Sequence, residues 1–140
     1  MKYKYSRFSV TTLTFMLSTW FLFSQCQKKD AMQLHGAWKV DSVYSFYNGF
    51  NTMTLGMEPH YHFQEDGRLR MTLDKEFRYF NYEVRNDSLH YHSNDNRVEE
   101  KFLILELDEN HLMLKKTKSP LFKQNHQERY EIKYLSKIEE

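Results

Sequence analysis

Residues 61–73 read YHFQEDGRLRMTL and decide the fold. Apolar side chains recur at every second position before and after the polar segment 65–67, an alternation typical of strands with one dry face and one wet face. Gly67 accepts the positive φ that a tight turn requires, since glycine has no Cβ to clash with the backbone. The stretch therefore predicts a β-hairpin with Phe63, Leu69 and Met71 on its apolar side.

The same rhythm extends in both directions, from Leu34 to Ile138, with short polar clusters interrupting it about every 8–12 residues. No segment shows sustained helical spacing, so no crossover helices are available for a parallel sheet. We therefore expect an all-β domain over residues 34–140, an antiparallel up-and-down β-barrel of about eight strands. The alternation predicts that Trp38, Val40, Tyr44 and Phe46 share one face of the first strand.

The N-terminal segment is typical of a secretory signal. Positive charge at the start is followed by an apolar run over residues 8–23, which ends just before the single cysteine of the chain, Cys26. A cysteine in this position, followed by polar residues, resembles the lipobox of bacterial lipoproteins, which implies cleavage after residue 25 and acylation of Cys26. Residues 26–33 then form a lipidated tether. An uncleaved anchor, or an ordinary signal with an incidental cysteine, is the alternative.

Two motifs of the predicted β-domain resemble those of one protein family. The opening of the first strand, residues 34–38, contains Gly36 and Trp38 in a Gly-x-Trp pattern, and residues 63–67 form a Phe-x-x-Asp-Gly hairpin. Together they are similar to the lipocalin-like domains of bacterial lipoproteins. The resemblance implies that glycine lets the chain swing under the barrel while the indole plugs its closed end.

The resemblance also implies a basic residue near the chain end that packs on this tryptophan. Neither Arg129 nor Lys133 is assigned that role from the sequence.

The apolar face is the candidate binding surface. A barrel of this size encloses either packed side chains or one small ligand, and methionine-rich linings adapt to apolar guests. The expected ligand contacts in the barrel interior are Met53, Leu55, Met57, Phe63, Met71, Phe80, Tyr82 and Tyr91. The same alternation places Leu103, Leu105, Tyr130 and Ile132 on the dry face. A solid core without a ligand cavity is the alternative.

Composition excludes several functions. The formal net charge is +1, with no basic stripe for a phosphate backbone, so nucleic acid is not an expected partner. No Gly-x-Ser-x-Gly elbow or glycine-rich phosphate loop is present. Glutamates that occur consecutively in the sequence are expected to be solvated. We expect neither catalysis nor a cofactor.

Seven histidines leave a metal site as a weaker alternative. His60 with His62, and His90 with His92, are two residues apart, and residues so spaced on a strand share a face. Both pairs lie opposite the apolar positions and are expected outside the barrel on separate strands. The favoured interpretation is solvated histidines and no metal.

The sequence thus predicts a binding protein of the cell envelope that its N-terminal lipid holds at a membrane. We expect this to be the outer membrane, on its periplasmic or surface side. A small apolar or amphipathic ligand in the barrel is the first functional hypothesis. The alternative is a non-enzymatic accessory of an envelope complex, which has a solid barrel core and a protein partner.

Overall fold

The computed structural model describes residues 31–56, 59–95, 97–121 and 127–139. Its elements are α1 (Ala31–Leu34), β1 (Gly36–Tyr47), β2 (Phe50–Leu55), β3 (His60–Phe63), β4 (Arg68–Leu73), β5 (Glu76–Arg85), β6 (Ser88–His92), β7 (Val98–Leu107), β8 (His111–Thr117) and β9 (Arg129–Ile138). Within these ranges no helix is long and apolar enough to span a membrane.

The strands form a closed antiparallel barrel. From β3 to β9 each strand pairs with the next along the chain, and β1 closes the ring by pairing with both β3 and β9. These eight strands make the barrel, while β2 is an additional strand that pairs with the second half of β1. The predicted all-β antiparallel barrel is confirmed, and it carries one strand outside the ring.

A β-bulge in β1 reverses the facing of its side chains. The pairing of β1 with β9 shifts register between Val40 and Ser42, and one extra residue moves every later side chain to the opposite face. Before the bulge Val40 is buried, and beyond it Val43 lines an interior cavity. Tyr44 and Phe46 therefore lie on the outer face, and the expectation that they share a face with Trp38 is wrong.

The side chains of the last strand, β9, also face the opposite way from the expectation. Leu135 is buried opposite Val40, and the positions in phase with it, including Lys133, face the interior. Tyr130 instead stacks on Phe46 outside the barrel, with ring centroids 4.9 Å apart. Placing Tyr130 and Ile132 on the dry face was therefore wrong, because the outer surface of this part of the sheet is apolar too.

In β7 only one of the two apolar faces is buried. Phe102 and Ile104 are 2% and 1% exposed, whereas Leu103 and Leu105 are 44% and 38% exposed. The expectation that Leu103 and Leu105 line the interior is wrong, and they extend the outer apolar surface. A second bulge, between Ile104 and Glu106, interrupts the pairing of β7 with β8.

The core fills the end of the barrel where β1 begins and β9 ends. Trp38 is fully buried there, and α1 packs over it through Leu34, which is also fully buried. The helix starts at Ala31, within the range assigned to the tether. The remaining core residues are Val40, Tyr61, Phe63, Leu69, Tyr82, Leu89, Tyr91, Phe102, Ile104, Leu112, Leu114 and Leu135. We call this the closed end and the opposite one the open end.

Candidate functional site

The open half of the barrel holds a cavity of about 340 Å³. Its wall comes from β1, β2 and β9, together with the segment leading into β3, and the described lining residues are Val40, Val43, Ser45, Thr54, Pro59, Glu131 and Lys133. The volume lies at the lower end of the range of small-molecule sites, roughly 300–1,000 Å³. The lining is mixed: three apolar side chains face two hydroxyls and two charged groups.

Lys133 is the central polar group of this site. Its Nζ donates a hydrogen bond to Tyr61 Oη at 2.7 Å, and Tyr61 is itself 2% exposed. The ammonium also lies 5.3 Å from the ring centroid of Tyr61 and 5.2 Å from that of Phe102. Aromatic faces stabilise a cation that has left bulk water, so the barrel holds a positive charge among aromatic rings.

Two ion pairs also lie in this half of the barrel. Lys118 forms an ion pair with Glu131, whose Oε1 also accepts a 3.5 Å hydrogen bond from Ser45 Oγ. Lys116 forms an ion pair with Glu100. Among the described residues, no carboxylate forms an ion pair with Lys133.

The closed end contains the residues that the family resemblance singled out. Gly36 has a φ of +113°, and Trp38 Nε1 donates a 2.8 Å hydrogen bond to the carbonyl oxygen of Leu34. Lys137 Nζ lies 5.4 Å from the Trp38 ring centroid. The basic residue that packs on the tryptophan is thus Lys137, whereas Arg129 lies over Tyr47 and Lys133 faces the cavity.

Two of the expected ligand contacts lie outside the barrel. Met53 and Leu55 are 58% and 74% exposed, because they alternate with Thr54, which pairs with Val43 and takes the inward position. The expectation that these two side chains point into the barrel is therefore wrong, because they occupy the outward-facing positions of β2.

Other expected contacts lie inside the barrel, away from the cavity lining. Phe63 and Tyr82 meet edge to face at 5.0 Å at the closed end, where Tyr82 Oη donates to the carbonyl oxygen of Gln64 at 3.0 Å and burial raises the pKa of Tyr82. Phe80 contacts Tyr91 at a centroid distance of 5.1 Å.

Met71 packs, partly buried, against the core cluster. As ligand contacts these interior residues remain predictions.

The histidine pairs do not converge. His60 and His62 lie on β3 and His90 and His92 on β6, with β4 and β5 between them. The rings of His90 and His92 stack at 6.4 Å, and His92 Nε2 lies 3.1 Å from a Glu83 oxygen. Burial, with the nearby cations, lowers the pKa of His90. Within the described part of the chain, no three metal-ligating side chains form a group.

None of the seven described residues that line the cavity was among the expected ligand contacts; the charged ones are Glu131 and Lys133. The signal for the two charged groups was their regular spacing with Leu135 along one face of β9, which the stronger apolar spacing of the opposite face obscured. Cys26 and Met57 lie outside the described residues, as does the signal segment, so lipidation and the role of Met57 stay predictions. No protein-family model matches the chain, and no curated protein shows significant similarity to it.

Proposed function

We propose that this chain is a lipid-anchored binding protein of the cell envelope, with a lipocalin-like barrel that holds one small amphipathic ligand in its open half. The observation that carries the proposal is the cavity of about 340 Å³, whose lining combines apolar side chains with hydroxyls and charges. Sites of this kind bind by burying an apolar body and orienting it through a few polar groups.

The construction of the closed end supports the lipocalin-like assignment. A glycine at positive φ, a buried tryptophan and a lysine over its ring come together in Gly36, Trp38 and Lys137. The family resemblance implies this combination, in which the basic group covers the indole at the plugged end. The assignment rests on this arrangement and on the hairpin motif.

The point where the chain enters the domain fits an N-terminal anchor. Helix α1 packs at the closed end through Leu34, so the chain reaches the barrel on the side away from the cavity mouth. A lipid on Cys26 would hold the closed end near the membrane. The open end would remain accessible to a ligand arriving from the aqueous side.

The outer surface favours a second candidate, a protein-interaction accessory. Exposed apolar side chains lie on β2, Met53 and Leu55, and on β7, Leu103 and Leu105. Strands β1, β9 and β8 lie between β2 and β7, and the outer faces of β1 and β9 carry the stacked rings of Phe46 and Tyr130. Contiguous apolar patches on a soluble domain commonly mark contact surfaces. This candidate needs no cavity and leaves the interior charges without a role.

Native mass spectrometry tests the binding proposal. The chain from Gln27 onward keeps every described residue and lacks the lipid. We expect a fraction of it to carry a copurifying molecule of constant added mass, or to take up an apolar dye with a blue shift in emission. A bare mass combined with no dye response would contradict the proposal and leave the interaction candidate.

The anchor has its own test. Cys26→Ser in the full-length chain should release the protein from the membrane fraction as a soluble precursor, because acylation requires the thiol. Unchanged membrane attachment of this variant would contradict lipidation without affecting the binding proposal.

A further inference from the structure

The hydrogen-bonding capacity around Lys133 exceeds what the described residues use. An ammonium has three N–H donors, and Lys133 directs one of them to Tyr61 Oη. The tyrosine hydroxyl accepts this bond, so its own proton remains available to a further acceptor. Two N–H donors of Lys133, which lines the cavity, and the O–H donor of Tyr61, 2.7 Å behind its Nζ, therefore lie close together.

The charges near this point favour an anion. Glu131 also lines the cavity, but Lys118 and Ser45 hold its carboxylate. Glu100 is likewise paired with Lys116. Because both carboxylates are paired and no described carboxylate pairs with Lys133, the described lining has an excess positive charge, which attracts an anion.

The rest of the lining suits a single hydrocarbon chain. Val40, Val43 and Pro59 provide an apolar wall, which would gain about 0.8 kcal/mol for each methylene group removed from water. A volume of about 340 Å³ is small for a lipid with two chains.

We infer that the cavity takes a single-chain amphiphile with one carboxylate head, held between the Lys133 ammonium and the Tyr61 hydroxyl. The inference rests on the proposed binding function and names the class of its ligand. The head accepts charge-assisted hydrogen bonds from both groups, and the chain lies along Val40, Val43 and Pro59.

A series of ligands with the same chain tests the head group on the unaltered protein. Decanoate, decanol and decylammonium are titrated by calorimetry into the delipidated chain from Gln27 onward, at neutral pH and below their micelle concentrations. We expect decanoate to bind about 10- to 100-fold more tightly than decanol, because a hydrogen bond to a charged group increases the affinity by about this factor. Decylammonium should bind most weakly, because its charge repels Lys133.

Substitutions then locate the preference. Lys133→Met should lower decanoate affinity about 10-fold or more, to that of decanol, while decanol affinity stays unchanged. Tyr61→Phe removes one donor and should lower decanoate affinity about 3- to 10-fold. The matched control is Lys115→Met, because Lys115 also lies over an aromatic ring, 4.2 Å from the Tyr130 centroid, but on the outer face. It should bind decanoate as the unaltered chain does.

The outcomes separate this inference from the proposed function. Equal affinity for decanoate and decanol, or an unchanged decanoate preference in Lys133→Met, would overturn the carboxylate site and leave the cavity as a binding site. Failure of all three ligands to bind would count against the binding function itself. If Lys133→Met does not fold, the ligand series on the unaltered chain still decides the head-group preference.

Discussion

The two ends of the barrel are built from the same strands and differ in the side chains that those strands direct inward. At the closed end β1 and β9 contribute Trp38 and Leu135, which are 0% and 2% exposed. At the open end the same two strands contribute Val43, Glu131 and Lys133 around a cavity. The change takes place within a few residues, at the bulge in β1.

This division separates stability from binding. Close-packed side chains at the closed end supply most of the apolar burial, so they determine whether the barrel folds. The interior lysines and glutamates of the open end are costly to remove from water, and a protein retains such groups where they serve a function. We therefore expect substitutions at the two ends to have opposite profiles in stability and in ligand binding.

Removal of the closed-end plug should have the largest effect. Trp38→Ala leaves a large hole under α1 and removes the hydrogen bond to Leu34, and we expect a loss of about 3–5 kcal/mol in the free energy of unfolding. Urea denaturation followed by circular dichroism measures it. Phe50→Ala is the control, because Phe50 is 77% exposed. A loss below about 1 kcal/mol for Trp38→Ala would contradict the assignment of stability to this end.

A pair of substitutions two positions apart on β9 sharpens the comparison. Leu135→Ala should lower the free energy of unfolding by about 2–5 kcal/mol, since it opens a cavity in the closed half. Lys133→Met should leave it within about 1 kcal/mol, or raise it, because an interior cation that pairs with no described carboxylate is replaced by an apolar side chain of similar length. Urea unfolding midpoints compare the two variants. Similar losses for both would mean that the open half is packed for stability as well.

The sequence predicted the closed end far better than the open end. The hairpin at Gly67 follows from a local signal, namely a turn that needs positive φ and a strict alternation that begins directly after it. The placement of Gly36 and Trp38 at this end was implied by the short Gly-x-Trp motif and its family resemblance. Local signals suffice there because each depends on residues within the same few positions.

The open end depends on an irregularity that local alternation does not reveal. A bulge adds one residue to a strand without a sequence signature of its own, and the one near Asp41 turns Tyr44 outward and Val43 inward. On β9 both faces carry large side chains, so the apolar spacing of Tyr130 and Ile132 pointed to the wrong face. Lys133 was consequently not considered as a cavity residue.

A moderate effect is expected where β1 begins. Gly36 has a φ of +113°, and a Cβ at this position would lie 3.0 Å from Lys137 Cε. Gly36→Ala should therefore cost about 1–3 kcal/mol through backbone strain, with a further contribution from displacing Lys137 off Trp38. Thermal and urea unfolding measure the loss.

Gly49→Ala is the matched control for this position. Gly49 also has a positive φ, +88°, but nothing lies within 4 Å of a Cβ built there. The smaller loss expected for Gly49→Ala isolates the backbone strain, and the difference between the two variants measures the contact with Lys137. Equal losses would show that the close approach of Lys137 contributes nothing to the closed end.

The smallest expected effect is the loss of stability at acid pH that arises in the turn between β7 and β8, which borders the closed end. Asp108 Oδ1 accepts hydrogen bonds from the backbone N–H groups of Asn110 at 2.8 Å and His111 at 2.7 Å. These backbone bonds hold the pKa of Asp108 below its ordinary value of 3.8. Since the folded pKa is the lower one, the stabilisation is present above about pH 4 and is lost as the pH falls through the folded value.

Asp108→Asn should therefore flatten the dependence of the melting temperature on pH between about pH 5 and pH 3, because the variant has no proton to bind there. Glu109→Gln removes the same charge from the same turn without these two backbone bonds, and it controls for net charge. A curve for Asp108→Asn parallel to that of the unaltered chain would show that the two bonds to the Asp108 carboxylate do not stabilise the turn. In that case no carboxylate charge would contribute to this part of the closed end, and the contrast with the charged open end would be sharper still.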